Sequence, residues 1–124
     1  MRSWLKECRV RTMSATEAAW LAGFIDGEGC LCQFMANQQK YVAWILIVSN
    51  TDRGSLEYCQ QITGVGGVYT KSTSGNRKAQ YTWTVSAQRD MVAILEQVIL
   101  YLQIKREVAE AFLATWNDLE CQGG

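Results

Sequence analysis

The chain contains no histidine and no proline, and its twelve basic and twelve acidic side chains cancel. Without histidine the usual general base of a hydrolytic site is missing, so any hydrolysis has to rest on a metal ion or a carboxylate. Without proline, and with no internal repeat or linker, nothing divides the 124 residues, which suits one domain with its own core. Long apolar runs are missing too. Asp26, Lys40, Asp90 and Lys105 interrupt every candidate before it reaches the roughly 18 residues of a membrane span, so no membrane partner is expected. Met1 to Arg9 carries positive charge without an apolar h-region, so the expectation is an intracellular protein (cytoplasm, nucleoid or organelle) that is not secreted. The five cysteines, Cys8, Cys30, Cys32, Cys59 and Cys121, are odd in number and show no paired metal spacing, as reduced thiols packing like small hydrophobes would. Cys30 and Cys32 alternate as strand neighbours do, pointing the same way and too constrained for an ordinary disulfide.

Zero net charge taken alone argues against a nucleic-acid partner, but the charge is unevenly distributed. From Cys30 to Arg89 the basic residues are Lys40, Arg53, Lys71, Arg77, Lys78 and Arg89, against the acids Asp52 and Glu57. From Asp90 onward the balance reverses, two basic residues against six acids. The molecule is polarised, with a moderately basic middle and an acidic tail.

What the chain does have is concentrated in Trp20-Leu21-Ala22-Gly23-Phe24-Ile25-Asp26-Gly27-Glu28-Gly29. Trp20, Leu21, Phe24 and Ile25 recur at helical spacing and predict one apolar face. Gly23 and Gly27 lie one turn apart, with Ala19 on the same stripe. Each glycine inside a helix costs about 0.5–1 kcal/mol relative to alanine, so the stripe implies a neighbour approaching closer than side chains allow. Ser14-Ala15-Thr16-Glu17 fits a capping box, predicting a helix from near Ala15 to near Gly27. Asp26 and Glu28 then sit at its carbonyl end, where the macrodipole is negative and a cation is favoured.

Downstream, Cys30–Asn37 and Tyr41–Ser49 read as two strands around the turn Asn37-Gln38-Gln39-Lys40. A helix capped by Thr51 or Asp52 carries Leu56, Cys59 and Ile62 on one side. Gly64-Val65-Gly66-Gly67 follows that helix instead of opening one, so it reads as a C-cap and turn into a strand from Val68 to Ser72. It does not read as a phosphate cradle, and no small-molecule cofactor is expected. Ser74-Gly75-Asn76-Arg77 is a hairpin turn before a strand from Lys78 to Ser86, in which Tyr81, Trp83 and Val85 alternate with Gln80, Thr82 and Thr84. Two helices close the chain, one carrying Met91, Ile94, Leu95, Val98 and Leu102, the other running from about Lys105 to Trp116 with Val108, Ala109, Phe112 and Trp116 inward. The order is α-ββ-α-ββ-α-α, an α/β (α+β) chain.

Leu21-Ala22-Gly23-Phe24-Ile25-Asp26-Gly27-Glu28-Gly29 resembles the signature of the LAGLIDADG homing endonucleases, with eight of nine positions chemically matched. The element order matches that family's fold as well, from roughly Ala15 to Phe112. The resemblance implies a four-stranded antiparallel saddle backed by helices, with residues 14–119 as the domain, 1–13 as an N-terminal extension and 120–124 as a tail. It also implies a homodimer in which Ala19, Gly23 and Gly27 line the helix-to-helix interface. The implied activity is Mg²⁺-dependent double-strand cleavage of DNA at a long, partly palindromic site, with Mn²⁺ or Ca²⁺ able to substitute in binding. Glu28 falls on the position of the family's metal-binding carboxylate, with the Gly27 carbonyl as companion ligand, while Asp26 is expected to brace the helix end. Asn50 falls where a polar residue, commonly glutamine, lies near the attacking water. Arg53 is the basic residue that follows, and Lys105 matches a lysine near the scissile phosphate.

As DNA contacts the resemblance points to the outward faces of both hairpins, a β-ribbon mode of groove readout. In the second hairpin these are Tyr69, Lys71, Thr73, Gln80, Thr82 and Thr84, with Arg77 and Lys78 at the tip for phosphates. In the first they are Phe34, Gln38, Lys40 and Tyr41. That hairpin departs from the pattern: if Val42, Trp44, Leu46 and Val48 face the core, then Ala43, Ile45 and Ile47, with Cys30, Cys32 and Ala36, make its outward face apolar. The alternatives are a cleavage-inactive DNA-binding relative or RNA-splicing maturase of the same fold, and an unrelated domain that uses the glycine stripe only to dimerise.

Overall fold

The structure, a computed structural model, describes residues 9–36, 41–71, 75 and 79–123. Helix α1 (Ala15–Glu28) begins as its sequence requires. The Ser14 hydroxyl accepts the Glu17 N–H at 3.1 Å, and the Glu17 carboxylate accepts the Ser14 N–H at 2.9 Å. The helix runs one residue past Gly27, and Gly29 turns the chain directly into a strand.

The sheet consists of β1 (Gly29–Ala36), β2 (Tyr41–Asn50), β3 (Gly67–Lys71) and β4 (Gln80–Val85), antiparallel throughout and ordered β1-β2-β4-β3. Helix α2 (Arg53–Thr63) separates the two hairpins; α3 (Gln88–Val98) and α4 (Arg106–Gly123) close the chain. The expected order and antiparallel four-stranded sheet are therefore present. Each strand begins or ends a residue or two from its expected limits, and Asn37, Ser72 and Lys78 lie outside the described residues.

One face of the sheet carries Trp44, Leu46, Val48, Trp83 and Val85, all buried against Leu21, Ala22 and Ile25 of α1, Leu56 and Ile62 of α2, and Ile94 and Leu95 of α3. Trp83 is fully enclosed, and its indole N–H donates to the Val65 carbonyl at 3.0 Å. That bond needs the tight turn after α2, where Gly64 (φ 76°) and Gly66 (φ 88°) adopt left-handed backbone and a Cβ on Gly66 would strike the Trp83 ring. Where β4 stops pairing with β2, Gln88 continues the ladder with its side chain. The amide oxygen accepts from the Trp44 N–H at 3.2 Å and the amide nitrogen donates to the Trp44 carbonyl at 2.8 Å.

Three expectations are corrected. Leu102 is fully buried, but α3 ends at Val98 and Leu102 lies in the following turn. The turn is held open to a new direction by Arg106, whose guanidinium donates to the carbonyls of Ile99 and Leu100. Helix α4 starts at Arg106, after Lys105, and continues beyond Trp116 to Gly123. Trp20 is 37% exposed instead of inward: it stands on the flank of α1, between the tilted ring of Phe24 (5.0 Å between centroids) and the edge-on ring of Tyr58 of α2 (4.8 Å). Before α1, Arg9–Met13 are stitched to the body: Arg9 pairs with buried Asp90 at 2.7 Å, the Arg11 N–H donates to Thr63, and the Met13 N–H donates to Gln97. No helix among the described residues is long and apolar enough to cross a membrane.

Candidate active site

An acid at the carbonyl end of a helix is unfavourable in isolation, yet α1 ends on two. For Asp26 the structure supplies the reason. Its carboxylate leaves its own helix and accepts the backbone N–H groups of Gln103 at 2.7 Å and Lys105 at 2.9 Å, just before α4. It thereby satisfies amides that α4 cannot satisfy itself. Burial raises the Asp26 pKa, but the N–H groups of Gln103, Lys105 and Ile104 and the Lys105 ammonium outweigh it and hold the group below its ordinary 3.8. In return, the Lys105 ammonium donates to the carbonyls of Asp26 at 3.0 Å and Ile25 at 3.4 Å. Each helix end is capped by a side chain from the other, and a positive charge is fixed where the macrodipole of α1 favours it.

Glu28 follows two residues later, exposed and in the last turn of α1. The carbonyl of Gly27 belongs to the same turn, where carbonyls have no partner four residues on. The strand register then brings in the other end of the first hairpin. Gly29 pairs with Val48, which puts the start of β1 beside the end of β2, where Ser49 and Asn50 follow. The Asn50 side-chain oxygen accepts the Asp52 N–H at 2.8 Å, which turns the chain into α2. Arg53 sits 5.4 Å above the ring of Tyr81, the residue paired with Asn50, and bonds Glu57 at 3.2 Å. Lys105 is bonded to the end of α1 that carries Glu28, while Asn50 and Arg53 stand at the end of β2 and the start of α2.

The chemistry of this end suits a hard cation, because its donors are a carboxylate and a backbone carbonyl. Among the described residues no three His, Cys, Asp or Glu side chains cluster as a cage.

The sheet face opposite the core is open. Its rows read Cys30, Ile47, Thr84 and Gly67, then Ser49, Thr82 and Tyr69 alongside, with Cys32 beside Ile45 and Lys71 beside Gln80. Tyr69 is 60% exposed, and its ring folds over Gly67, leaving no room there for a Cβ. Lys71 and Gln80 are exposed, and Thr82 and Thr84 half-buried. Ala43, expected on this face, is in register with Phe34 but buried. Phe34 and Tyr41 are placed by backbone in β1 and β2, whereas Gln38, Lys40, Thr73, Arg77 and Lys78 lie outside the described residues. Ser49 was not anticipated on the open face; strict alternation from Ile45 and Ile47 was the signal that would have found it.

On the outer side of α1, Ala19, Gly23 and Gly27 are exposed, and a Cβ built on either glycine meets nothing within 4 Å. Among the described residues, no part of the chain packs into the space at Gly23 and Gly27.

No family model matches the chain. The DNA endonuclease I-CvuI of Chlorella vulgaris is 28% identical over 102 residues, 77% of this chain and 60% of that protein. The chain thus spans less than two thirds of that relative. The crystal structure of I-CvuI in complex with its target in the presence of Ca superposes with a TM-score of 0.67 at 28% identity, covering 81% of this chain and 65% of that one. The archaeal intron-encoded homing endonuclease I-Vdi141I, complexed with DNA, gives a TM-score of 0.69 at 18% identity over 84% and 69% of the two chains, a likeness of fold. Its motif helix ends on Glu28 and its sheet is four-stranded and antiparallel, and the chain is similar in sequence and fold to I-CvuI and in fold to other LAGLIDADG homing endonucleases.

Proposed function

We propose that the chain is a site-specific DNA endonuclease that acts as a homodimer and hydrolyses phosphodiesters with the help of a divalent ion, Mg²⁺ in the first instance. The observation that carries this reading is the end of α1: Glu28 exposed in the last turn, beside a lysine pinned onto the same helix terminus. When bound there, the ion would supply charge stabilisation to the attacking and leaving oxygens of an in-line displacement. Glu28 would hold it with the Gly27 carbonyl. Lys105 would offset developing phosphate charge from a position fixed by two carbonyls. Asn50 would orient water and Arg53 would meet the backbone, both from the β2 end of the site.

The polar rows Tyr69, Lys71, Gln80, Thr82 and Thr84 would read base edges, with the hairpin tips on phosphates. The bare stripe of Ala19, Gly23 and Gly27 would seat the same stripe of a second copy, placing two Glu28 side chains about a dyad, one for each strand. Residues 14–119 form the working unit in this reading, and the substrate places the protein in a nucleoid or organelle.

Incubating the protein and Mg²⁺ with a library of randomised duplexes tests the reading. Discrete double-strand breaks are expected, and Glu28→Gln should lower their rate at least a thousandfold. Binding without cleavage by the unaltered protein would replace the nuclease with a DNA-binding or splicing relative, and neither binding nor cleavage of any duplex would sink the proposal.

A further inference from the structure

Two thiols stand immediately beyond the proposed metal ligand. Cys30 and Cys32 lie on one side of β1, both are free, and their sulfurs are 2.6 Å apart. That spacing discriminates between two uses of a thiol pair. Thiolates sharing a tetrahedral metal at about 2.3 Å each would stand roughly 3.8 Å apart, whereas a disulfide brings sulfurs to about 2.0 Å. The pair lies on the disulfide side of the choice. Cys30 is exposed and Cys32 partly so, unlike Cys59, which is fully buried and whose burial pushes its thiol up to about 12. Cys30 is the more exposed of the two sulfurs, so it meets a peroxide first.

We infer that Cys30 and Cys32 form a reversible oxidation site, which a peroxide closes into an intrastrand disulfide beside Glu28. The Cys30 thiolate attacks one peroxide oxygen; the O–O bond breaks, hydroxide leaves, and a sulfenic acid remains on Cys30. The Cys32 sulfur then attacks the Cys30 sulfur, forming the S–S bond and expelling the hydroxyl as water with the Cys32 proton. The two sulfurs lose two electrons in all, and the peroxide becomes two waters.

Closure also changes the strand. Alternate residues of a strand stand about 6.6 Å apart, but a disulfide needs Cβ atoms about 3.8 Å apart. β1 must therefore draw in at Leu31, which packs on the core and pairs with the fully buried Leu46. The bend falls three residues from Glu28, and a bond under such tension is easily reduced again. Its consequence for DNA rests on the proposed function; its formation does not.

The chain itself makes the test simple, because the tryptic peptide Thr12–Lys40 holds these two cysteines and no other. Protein treated with hydrogen peroxide and then alkylated should yield that peptide lighter by two hydrogens and unalkylated, with the dithiol restored by dithiothreitol. Cys30→Ser and Cys32→Ser should each abolish the product while leaving the melting temperature of the reduced protein unchanged. Amide exchange across β1 should rise about tenfold in the oxidised form. Two alkylatable thiols, independent sulfinic acids or disulfide-linked dimers would overturn the site, and unchanged exchange would overturn the bend. Duplex binding is measured in parallel and should weaken about tenfold on oxidation. Equal binding by the oxidised and reduced forms would overturn the control of DNA. Reduced protein that binds no duplex would count against the nuclease reading and leave the peptide and exchange results to decide the disulfide.

Discussion

The two sides of α1 are made of similar small and apolar residues and have opposite fates. On the inner side Ala18, Leu21, Ala22 and Ile25 are all buried in the core. On the outer side Ala19, Gly23 and Gly27 are exposed, with open space where a Cβ would stand. A chain that needed α1 only for its own core would gain from alanine at both glycines, since each costs helix stability. Small residues inside mark close packing already achieved. The same residues outside mark room kept for something else, and the second copy of the chain is the occupant proposed above.

Breaking the inner side should have the largest effect. Leu21→Ala is expected to lower unfolding free energy by about 2–5 kcal/mol, read by urea denaturation, because a fully buried leucine leaves a cavity that its neighbours fill only in part. Blocking the outer side should spare folding and strike assembly. Gly23→Leu is expected to weaken self-association by at least about a hundredfold in sedimentation equilibrium, with the monomer's melting curve retained. The junction between the sides is worth less. Asp26→Ala should cost about 1–2 kcal/mol through the uncapped start of α4. Its sign with pH follows from a carboxyl held below its ordinary value: the stabilisation is full above pH 3.8 and is lost as pH falls through the lower folded value. The difference in stability between wild type and Asp26→Ala should therefore shrink in acid titrations below that point. The smallest effect runs the other way. Gly23→Ala should stabilise the isolated fold by about 0.5–1 kcal/mol, since the added methyl meets nothing in its own chain.

What the sequence makes legible here is what periodicity and local capping encode. Ser14 and Glu17 announce the start of α1, and the alternation of Tyr81, Trp83 and Val85 announces which face of β4 is covered. Periodicity fails where a buried residue keeps helical spacing after the helix has ended. Leu102 lies four residues beyond Val98, and only the distant decision of Arg106 to cap Ile99 and Leu100 turns the chain there. It also fails for Gln88, whose amide replaces a missing strand residue beside Trp44, because no local pattern encodes a partner 44 residues away. In the candidate site, the expectation that Asp26 braces the helix end came from its place in the motif. The N–H groups that donate to its carboxylate belong to Gln103 and Lys105, beyond the reach of any window on the sequence.

The exchange of caps between Asp26 and Lys105 also has a bearing on the order in which the molecule assembles. It joins positions 79 apart, whereas β1 and β2 meet across a short connection. Closing a loop grows dearer with its length, by about 0.6 kcal/mol for each doubling, and contacts of long sequence separation are made late in folding. The saddle should therefore be in place before α1 has its final end. Refolding followed by tryptophan fluorescence should then finish ahead of any signal that depends on Glu28, and a chain caught between the two stages would carry a completed sheet and an unfinished end of α1.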